Sequence, residues 1–266
     1  MTSLGLGVLS WKGHDSLEAA LGTYAEAGLF ELFDERLLFL PEIDDRGRAI
    51  AARFDIPFAG SDKNLGILGG FKALASAMTA DIVLLLENDC PLIEPRDVAK
   101  ARIAEARRAL EAGEVDVFRM RSRKRPGQRF QTLGKHLALF PPEDAPALSR
   151  AVAAAHRAVR PDKALRLAGG AVYAYDDPER RHPRFIERRA EGWWRVSSRI
   201  MTWTNQSIMI RRNFFLETII ARAEARPSSR TVNGFPDLEK EMNTPWWRGS
   251  GFRIGVGEGI FTHERV

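Results

Sequence analysis

The sequence is poor in cysteine, because Cys90 is the single one among 266 residues. A lone cysteine cannot form an intramolecular disulfide, and this one has no CxxC partner of the kind from which structural zinc sites are built. We therefore expect neither a disulfide framework nor a structural zinc site, and redox chemistry is not the function that this composition favours.

Long apolar runs are also missing. The longest of them, such as Ile82–Leu86, are far shorter than the roughly 20 residues that a membrane-spanning helix needs. The segment Met1–Leu9 has no basic leader, and its apolar stretch is too short for a secretory signal. The sequence therefore predicts a cytoplasmic protein that does not span the bilayer.

The chain has no low-complexity tract, no internal repeat and no linker rich in proline, glycine or serine. With 44% apolar and 28% charged residues it has the composition of an ordinary globular protein. Its length suits one large α/β domain with a well-buried core, whereas two full domains would be cramped. We therefore predict a single domain.

Positive charge is in excess. The net charge is +5, and the basic residues are concentrated in Arg121–Arg129 and Arg180–Arg199. Such clusters attract a phosphate-bearing partner or an anionic membrane surface, so peripheral membrane contact is one prediction. Solvated loops are the alternative.

The first half of the chain alternates short apolar runs with amphipathic stretches, which is typical of βαβ units and a mostly parallel sheet flanked by helices. Asp15 with Glu18 predicts a capping box for the first helix, and Gly28 predicts its end. Strands are predicted near Leu6–Trp11, Arg36–Leu40, Pro57–Ala59, Ile82–Glu87 and Val115–Met120. Helices are predicted near Leu17–Ala27, Arg46–Phe54, Leu68–Met78 and Arg96–Ala112.

The pattern loosens between residues 121 and 199, where we predict basic loops around one alanine-rich helix, Ala147–Val159, ended by Pro161. A second ordered block follows, in which strands and helices are again predicted from the spacing of apolar residues. Its elements are a strand at Arg199–Ile210, helices at Phe214–Ala225 and Pro236–Met242, and a strand at Phe252–Phe261.

The most informative segment is Leu84–Pro91, an apolar strand that ends in Glu87, Asn88 and Asp89. In an open α/β sheet, ligands bind at the carboxyl ends of the strands. Carboxylates there suit a hard divalent cation that also holds substrate phosphates. A simple turn before Pro91 is the alternative interpretation.

The order of motifs around this strand carries a family resemblance. Asn64 and Gly66 lie upstream, and Gly69-Gly70 opens a helix that leads into the acidic strand. Over about Leu6–Glu94 this arrangement resembles the nucleotide-binding half of family 2 glycosyltransferases with the GT-A fold. The resemblance implies that Asp89 is a metal ligand. It implies that the nucleotide sugar contacts Ser10, Glu42, Asp45, Asn64, Gly66, Glu87 and Asn88.

One departure from the family concerns the donor base. The family has an Asp-Asp-Gly-Ser run after its second strand, where this chain reads Leu-Pro-Glu-Ile-Asp-Asp at positions 40–45. Asp45 matches the later aspartate of the family, and Glu42 is the candidate replacement for the base-binding one. Asp44 and Asp45 can also be explained as a helix N-cap.

The resemblance extends to the second half of the chain. It implies that Asp237 is the general base which removes the acceptor proton, with Glu239 as the fallback, and that His263 completes the metal site. An exposed acidic helix start is the alternative for Asp237. Amide and aromatic groups suit a sugar ring, so Asn205 and Trp247 are predicted to contact the acceptor, although core packing explains the tryptophan equally well.

Together these features predict an α/β, GT-A-like protein with three parts: a nucleotide-sugar-binding half at residues 1–120, a basic insertion at 121–199, and an acceptor-binding and catalytic half at 200–266. The implied function is inverting transfer of a hexose or N-acetylhexosamine from a nucleoside diphosphate sugar, with UDP favoured, to a glycan or glycolipid hydroxyl. The implied cofactor is Mn²⁺ or Mg²⁺, and no specific nucleic-acid partner is expected. A nucleotidyltransferase and a non-catalytic module that binds anionic partners are the alternatives.

Overall fold

The computed structural model describes residues 2–128, 131–226 and 231–265, excluding the side chain of Gln131. Its main feature is a sheet of nine strands, with a small separate hairpin. The sheet strands are β1 Leu4–Leu9, β2 Glu35–Pro41, β3 Phe58–Ser61, β4 Ile82–Glu87, β5 Val117–Arg121, β6 Ile186–Arg188, β7 Trp194–Ser197, β8 Ile208–Arg211 and β11 Arg253–Phe261. The hairpin pairs β9 Thr231–Val232 with β10 Phe235–Pro236.

The strand order is β3-β2-β1-β4-β8-β5-β11-β7-β6. The pairs β1–β2, β1–β4, β2–β3 and β5–β11 are parallel, while β8 runs antiparallel between β4 and β5 and β7 runs antiparallel between β11 and β6. Only β8 and β7 among the described strands therefore run against the common direction. The predicted mixed, mostly parallel sheet is confirmed.

Helices cover both faces of this sheet, and a buried apolar cluster lies under each set. The first seven in chain order are α1 His14–Glu26, α2 Asp45–Arg53, α3 Gly66–Ala77, α4 Arg96–Glu111, α5 Gln131–Leu139, α6 Ala147–Val159 and α7 Pro161–Leu167. The short ones are α8 Ala171–Ala174, α9 Pro178–Arg181, α10 Arg212–Phe214, α11 Ala221–Ala225, α12 Leu238–Met242 and α13 Pro245–Gly249. A π-helical segment, Phe215–Ile220, joins α10 to α11.

The central strands follow directly from the sequence. Both β1 and β4 are apolar runs buried on both faces, as expected for parallel strands that are covered by helices on each side. The five strands and four helices predicted before residue 122 are confirmed, with ends displaced by a few residues. Gly28 adopts a left-handed φ of 61° directly after α1, which confirms the predicted helix end.

The predicted capping box of α1 is wrong. The helix begins at His14, and its N-cap residue Gly13 has no side chain to cap with. Asp15 instead forms an ion pair with Arg46, and Glu18 pairs with Arg53. Both acids therefore tie α1 to the neighbouring helix α2, a tertiary contact that the local spacing does not reveal.

The predicted strand at Arg199–Ile210 is also wrong for most of its length, because only Ile208–Arg211 joins the sheet. The backbone of Trp203 is satisfied by a side chain instead: its N–H donates to Asn243 Oδ1 at 2.8 Å, and its carbonyl accepts from Asn243 Nδ2 at 3.2 Å. A side-chain amide thus takes the place of a ladder partner. The helix predicted at Phe214–Ala225 is confirmed, with the π segment at its centre.

The segment 121–199 is more ordered than predicted. The helix Ala147–Val159 is confirmed, but α5, α7, α8 and α9 surround it, and the hairpin of β6 and β7 extends the sheet beyond β11. These helices have four to nine residues, too short to be stable alone, so tertiary packing rather than local propensity holds them. Sequence periodicity cannot detect such elements.

One titratable group is fully buried among these helices. The His136 side chain stacks on Phe140 with 5.0 Å between ring centroids, and Nδ1 lies 2.8 Å from the Leu167 carbonyl. Nε2 is buried without a hydrogen-bond partner in the described chain. Nδ1 is therefore the protonated nitrogen, and burial lowers the pKa of His136 to about 4.

We expect this histidine to make stability depend on pH. In the unfolded chain the imidazole titrates at its ordinary pKa near 6.5, so between about pH 6.5 and 4 the unfolded state binds the extra proton. Stability should fall as the pH falls through this window, by on the order of 3 kcal/mol from this group. In His136→Asn, which keeps a donor for the Leu167 carbonyl, urea unfolding at pH 7 and pH 4.5 should show a smaller difference. His156→Asn, an exposed histidine on α6, is the control, and an unchanged pH dependence in His136→Asn would contradict the prediction.

Candidate functional site

The carboxyl ends of the central strands meet at a cleft. Leu9 at the end of β1 is in register with Glu87 at the end of β4, so the residues that follow each strand share one edge of the sheet. A cavity of about 530 Å³ opens at this edge. Parallel strands present their ligand sites at this end, so the cleft is the expected position for a substrate. Its lining includes Trp11, Lys12, Asn64, Gly66, Glu87, Asn88, Asp89, Phe235 and Arg265.

Three side chains at the cleft form a candidate metal centre. Glu87, Asp89 and His263 each offer one ligand atom, and these atoms lie within 4.8 Å of one another. His263 Nε2 is 3.0 Å from Asp89 Oδ2, about the separation of two adjacent ligands in an octahedral site with bonds near 2.1 Å. Two carboxylates and an imidazole at this spacing fit a small divalent cation.

The backbone holds His263 in this position. After β11 the chain continues alongside the acidic segment, where the Thr262 N–H donates to the Pro91 carbonyl at 3.1 Å and the Glu264 N–H donates to the Asp89 carbonyl at 2.9 Å. His263 Nδ1 lies 3.4 Å from the carbonyl of Gln128. A proton on Nδ1 would leave Nε2 free to bind a cation.

Asp89 is the most enclosed of the three ligands, with 4% of its surface exposed. Burial acts to raise its pKa, but hydrogen bonds from His263 and from Arg265 Nε at 2.9 Å outweigh burial and lower the pKa. Asp89 is therefore a carboxylate at neutral pH, which is the protonation state that a metal ligand requires.

Glu87 is in the opposite electrostatic situation. Burial is the main cause that raises its pKa to about 8, and the negative charges of Asp89, Glu239 and Asp237 contribute to this rise. Four carboxyl groups thus converge on this end of the cleft, and Arg265 only partly offsets them. A divalent cation between Glu87 and Asp89 would remove this repulsion, so the electrostatics as well as the distances fit a metal.

The two candidate bases lie on or beside α12. Asp237 is its N-cap, accepting a hydrogen bond from the Glu239 N–H at 3.1 Å. Glu239 Oε1 accepts from Thr204 Oγ1 at 3.0 Å and from the Asn205 N–H at 3.1 Å. Burial raises the pKa of both carboxyl groups. Both lie close enough to act electrostatically on Glu87, although neither is among the residues that line the cleft.

The glycine-containing loop borders the same cleft. Asn64 Oδ1 accepts from the Gly66 N–H at 2.8 Å, and Gly66 has a φ of +66°. A Cβ at position 66 would lie 2.4 Å from Cβ of Phe235, so only glycine allows the β9–β10 hairpin to approach. Asn88 completes this side, donating from Nδ2 to the Gly13 carbonyl at 2.9 Å.

The other residues predicted to contact the donor lie outside the cleft lining. Ser10 is buried at the end of β1, and Asp45 is exposed on α2. Asp44 caps α2 by accepting from the Gly47 N–H at 2.8 Å, which confirms the N-cap interpretation for this residue. That hydrogen bond is the main cause that lowers the pKa of Asp44 to about 2. Glu42 reaches the cleft indirectly, by accepting from Trp11 Nε1 at 3.0 Å.

Both residues predicted to contact an acceptor are part of the core. Asn205 is 2% exposed and accepts from Trp203 Nε1 at 2.8 Å. Trp247 is 1% exposed and donates from Nε1 to the Met201 carbonyl at 2.8 Å. Oδ1 of Asn205 and Nε1 of Trp247 are thus occupied by protein partners, although Trp247 also forms part of the wall of a second cavity.

The basic segment Arg121–Arg129 is exposed only in part, because Lys124 and Arg125 are exposed whereas Arg121 and Arg123 are buried. Arg121 donates to the Pro126 carbonyl and to Gln206, and Arg123 pairs with Glu258 at 2.8 Å while lying 4.0 Å from the ring centre of Trp194. Both side chains are buried against these partners. Arg129 lies outside the described residues. Over the described part of the chain, no helix is both long and apolar enough to cross a bilayer.

No protein-family model matches the sequence, and no curated protein matches it. Solved structures do match. Glucosyl-3-phosphoglycerate synthase from Mycobacterium tuberculosis, in complex with Mn²⁺, UDP-glucose and phosphoglyceric acid, aligns with a TM-score of 0.51 and 11% identity, over 100% of this chain and 72% of that one. TarS 1-349 from S. aureus aligns with a TM-score of 0.51 and 10% identity, over 98% of this chain and 60% of that one. The chain has a GT-A fold. At such low identity the likeness establishes this architecture alone.

Trp11 and Arg265 are among the residues of the GT-A cleft that the sequence interpretation did not identify. Trp11 is 42% exposed directly after β1, and Arg265 bonds to Asp89 from two positions beyond His263. Trp11 had a detectable signal, because an aromatic residue at the carboxyl end of a leading strand stands where this fold binds ligands. Arg265 lies two residues after His263 in the sequence. This spacing identifies it as a cleft residue only when the contact between residues 262–264 and the acidic segment is known.

Proposed function

We propose that the chain is a metal-dependent glycosyltransferase that moves a sugar from a UDP-linked donor to an acceptor hydroxyl. The observation that carries the proposal is the cluster of Glu87, Asp89 and His263 beside a cleft at the carboxyl edge of a GT-A sheet. The synthase with the same fold was solved with Mn²⁺ and UDP-glucose, which supports UDP and Mn²⁺ as the first ligands to test.

Asp89 and His263 would hold Mn²⁺ or Mg²⁺, with Glu87 beside it. The cation, when bound, neutralises the diphosphate that leaves as the glycosidic bond breaks. Lys12 and Arg265 line the same cleft and supply further positive charge for the phosphates. Trp11 offers an aromatic face for the base, tethered by its bond to Glu42.

Asp237 is the proposed general base for the acceptor hydroxyl, and Glu239 is the alternative. The raised pKa of each brings it closer to that of a group which takes a proton at neutral pH. Direct transfer to a hydroxyl activated in this way would invert the anomeric centre. A hexose or N-acetylhexosamine donor and a glycan or glycolipid acceptor remain the proposed substrates, and the affiliation with family 2 remains a proposal.

The donor proposal predicts a metal-dependent rise in thermal stability. Among UDP, GDP, CDP and dTDP, we expect UDP with Mn²⁺ to raise the melting temperature most, since a ligand that binds only the folded state stabilises it. Trp11→Ala should weaken UDP binding by about 5- to 100-fold if the base stacks on this ring, whereas Trp11→Phe should retain most of the affinity. Equal shifts in the presence of a chelator would exclude the metal, and no shift with any nucleotide would contradict the proposed function.

A further inference from the structure

A second cavity, of about 360 Å³, is lined by basic side chains that come from four separate segments. Its floor is apolar and buried, formed by Ile200, Met201 and Trp247. Its cationic members are Lys135 on α5, Lys163 and Arg166 on α7, Arg199 in the segment before β8, and Arg248 on α13. No acidic residue is among the described residues that line it.

Many arginines in the described part of the chain form ion pairs, and these five cations differ from them. Arg123 pairs with Glu258 at 2.8 Å, and Arg253 pairs with Asp116 at 3.1 Å. Within the described residues, no carboxylate lies within ion-pair distance of the charged group of any of the five. Like charges placed together without counter-charges repel one another, although water screens this repulsion at the four exposed members, and an anionic ligand would be attracted by all five charges.

Arg248 is the partly buried member of the five. Burial lowers its pKa, and the neighbouring charge of Arg166 lowers it further. Asp162 opposes this effect, but it lines the adjacent cavity rather than this one. Two guanidinium groups that repel one another across a cavity form a suitable pair of donors for a phosphate or carboxylate group, which binds guanidinium through parallel hydrogen bonds.

The position of the cavity relates it to the proposed chemistry. Asn243 lines it and follows the last residue of α12, where its N–H donates to the Glu239 carbonyl at 3.0 Å. Thr202 also lines it, two residues before Thr204, whose hydroxyl bonds to Glu239 at 3.0 Å. The cavity is therefore close to the candidate bases but separate from the residues of the donor cleft.

We propose that this cavity binds an anionic group, phosphate or carboxylate, of the acceptor substrate. Its role as an acceptor site rests on the proposed function, whereas its affinity for anions does not. The basic lining would hold the anion, Trp247 and Met201 would contact the adjoining carbon skeleton, and the acceptor hydroxyl would extend toward Glu239 and Asp237.

The test measures the melting temperature in inorganic phosphate, without divalent metal, against sodium chloride of equal ionic strength. A site with a dissociation constant near 1 mM should give a rise of about 3 °C at 10 mM phosphate. Arg166→Gln/Arg248→Gln should lose this rise, and Arg166→Gln alone, at an exposed position, should reduce it. The control Arg180→Gln/Arg188→Gln removes the same charge from exposed positions and should keep the rise. No rise in the parent protein, or equal rises in both double variants, would overturn the proposal.

Two further arms define the ligand. Sulfate or phosphate acting more strongly than acetate would assign the site to a phosphoryl group, and the reverse order would assign it to a carboxylate. Sulfate and UDP with Mn²⁺ should give additive shifts, because the two cavities are separate, and competition between them would overturn the assignment to an acceptor site. Loss of the UDP response with a retained phosphate response would contradict the proposed function alone.

Discussion

Asp89→Asn is expected to weaken the binding of UDP in the presence of Mn²⁺ by on the order of 100-fold or more. The amide keeps the shape of the carboxylate but loses the charge that would hold the cation against the diphosphate. Replacing groups that merely support metal ligands costs 10- to 100-fold in affinity, so loss of a ligand should cost at least as much. Calorimetric titration of UDP at saturating Mn²⁺ measures the effect.

Asp89→Asn changes mainly the charge, because the amide oxygen of asparagine can still accept the hydrogen bonds that His263 and Arg265 donate to Asp89. Asp34→Asn is the matched control: Asp34 accepts from the Leu4 N–H at 2.8 Å at the opposite end of β1. Normal binding of UDP and Mn²⁺ by Asp89→Asn would contradict the role of Asp89 as a metal ligand. The acidic segment would then be explained as a simple turn.

Asp237→Asn is expected to leave UDP binding nearly unchanged and to lower the turnover number by a factor on the order of 10² to 10⁴, the usual contribution of a general base. Asparagine is as good an N-cap as aspartate, so α12 should keep its start and the effect should report on the charge. A coupled assay for released UDP measures turnover independently of the binding titration.

Glu239→Gln is the companion variant, because glutamine can still accept the hydrogen bonds from Thr204 and Asn205. Turnover that survives in Asp237→Asn but falls in Glu239→Gln would identify Glu239 as the base. Glu239 is a reasonable alternative base because Asp237 already serves as the N-cap of α12, whereas Glu239 has the larger electrostatic effect on Glu87. Normal turnover in both variants would contradict general-base catalysis by α12.

The parts of the fold that the sequence predicts are those governed by local pattern. The strands β1 and β4 are continuous apolar runs, and Glu87 and Asp89 follow the end of an apolar strand, so the acidic edge of the sheet is readable without coordinates. His263 is 174 residues from Asp89, and it reaches the cleft because β11 pairs with β5 and the chain then lies against Pro91. Family resemblance suggested that position, but spacing alone did not.

The predictions that are wrong have a common physical cause: polar groups form hydrogen bonds with partners that are distant in the sequence. Arg121 and Arg123 seemed to be surface charges, but carbonyls and side chains up to 135 residues away allow them to be buried. Trp203 seemed to belong to a strand, but the amide of Asn243 takes its backbone hydrogen bonds. No local pattern encodes such contacts, so the segment 121–207 was the least predictable part of the chain.

The central claim is that Asp89 and His263, with Glu87 beside them, bind a divalent cation together with the donor diphosphate. Anomalous diffraction from crystals of the protein soaked with Mn²⁺ and UDP tests it most directly. We expect one strong manganese peak in contact with Asp89 and His263, with the diphosphate completing its coordination and the uracil beside Trp11. A manganese peak away from these residues, or UDP bound in the cleft without any peak, would contradict the account.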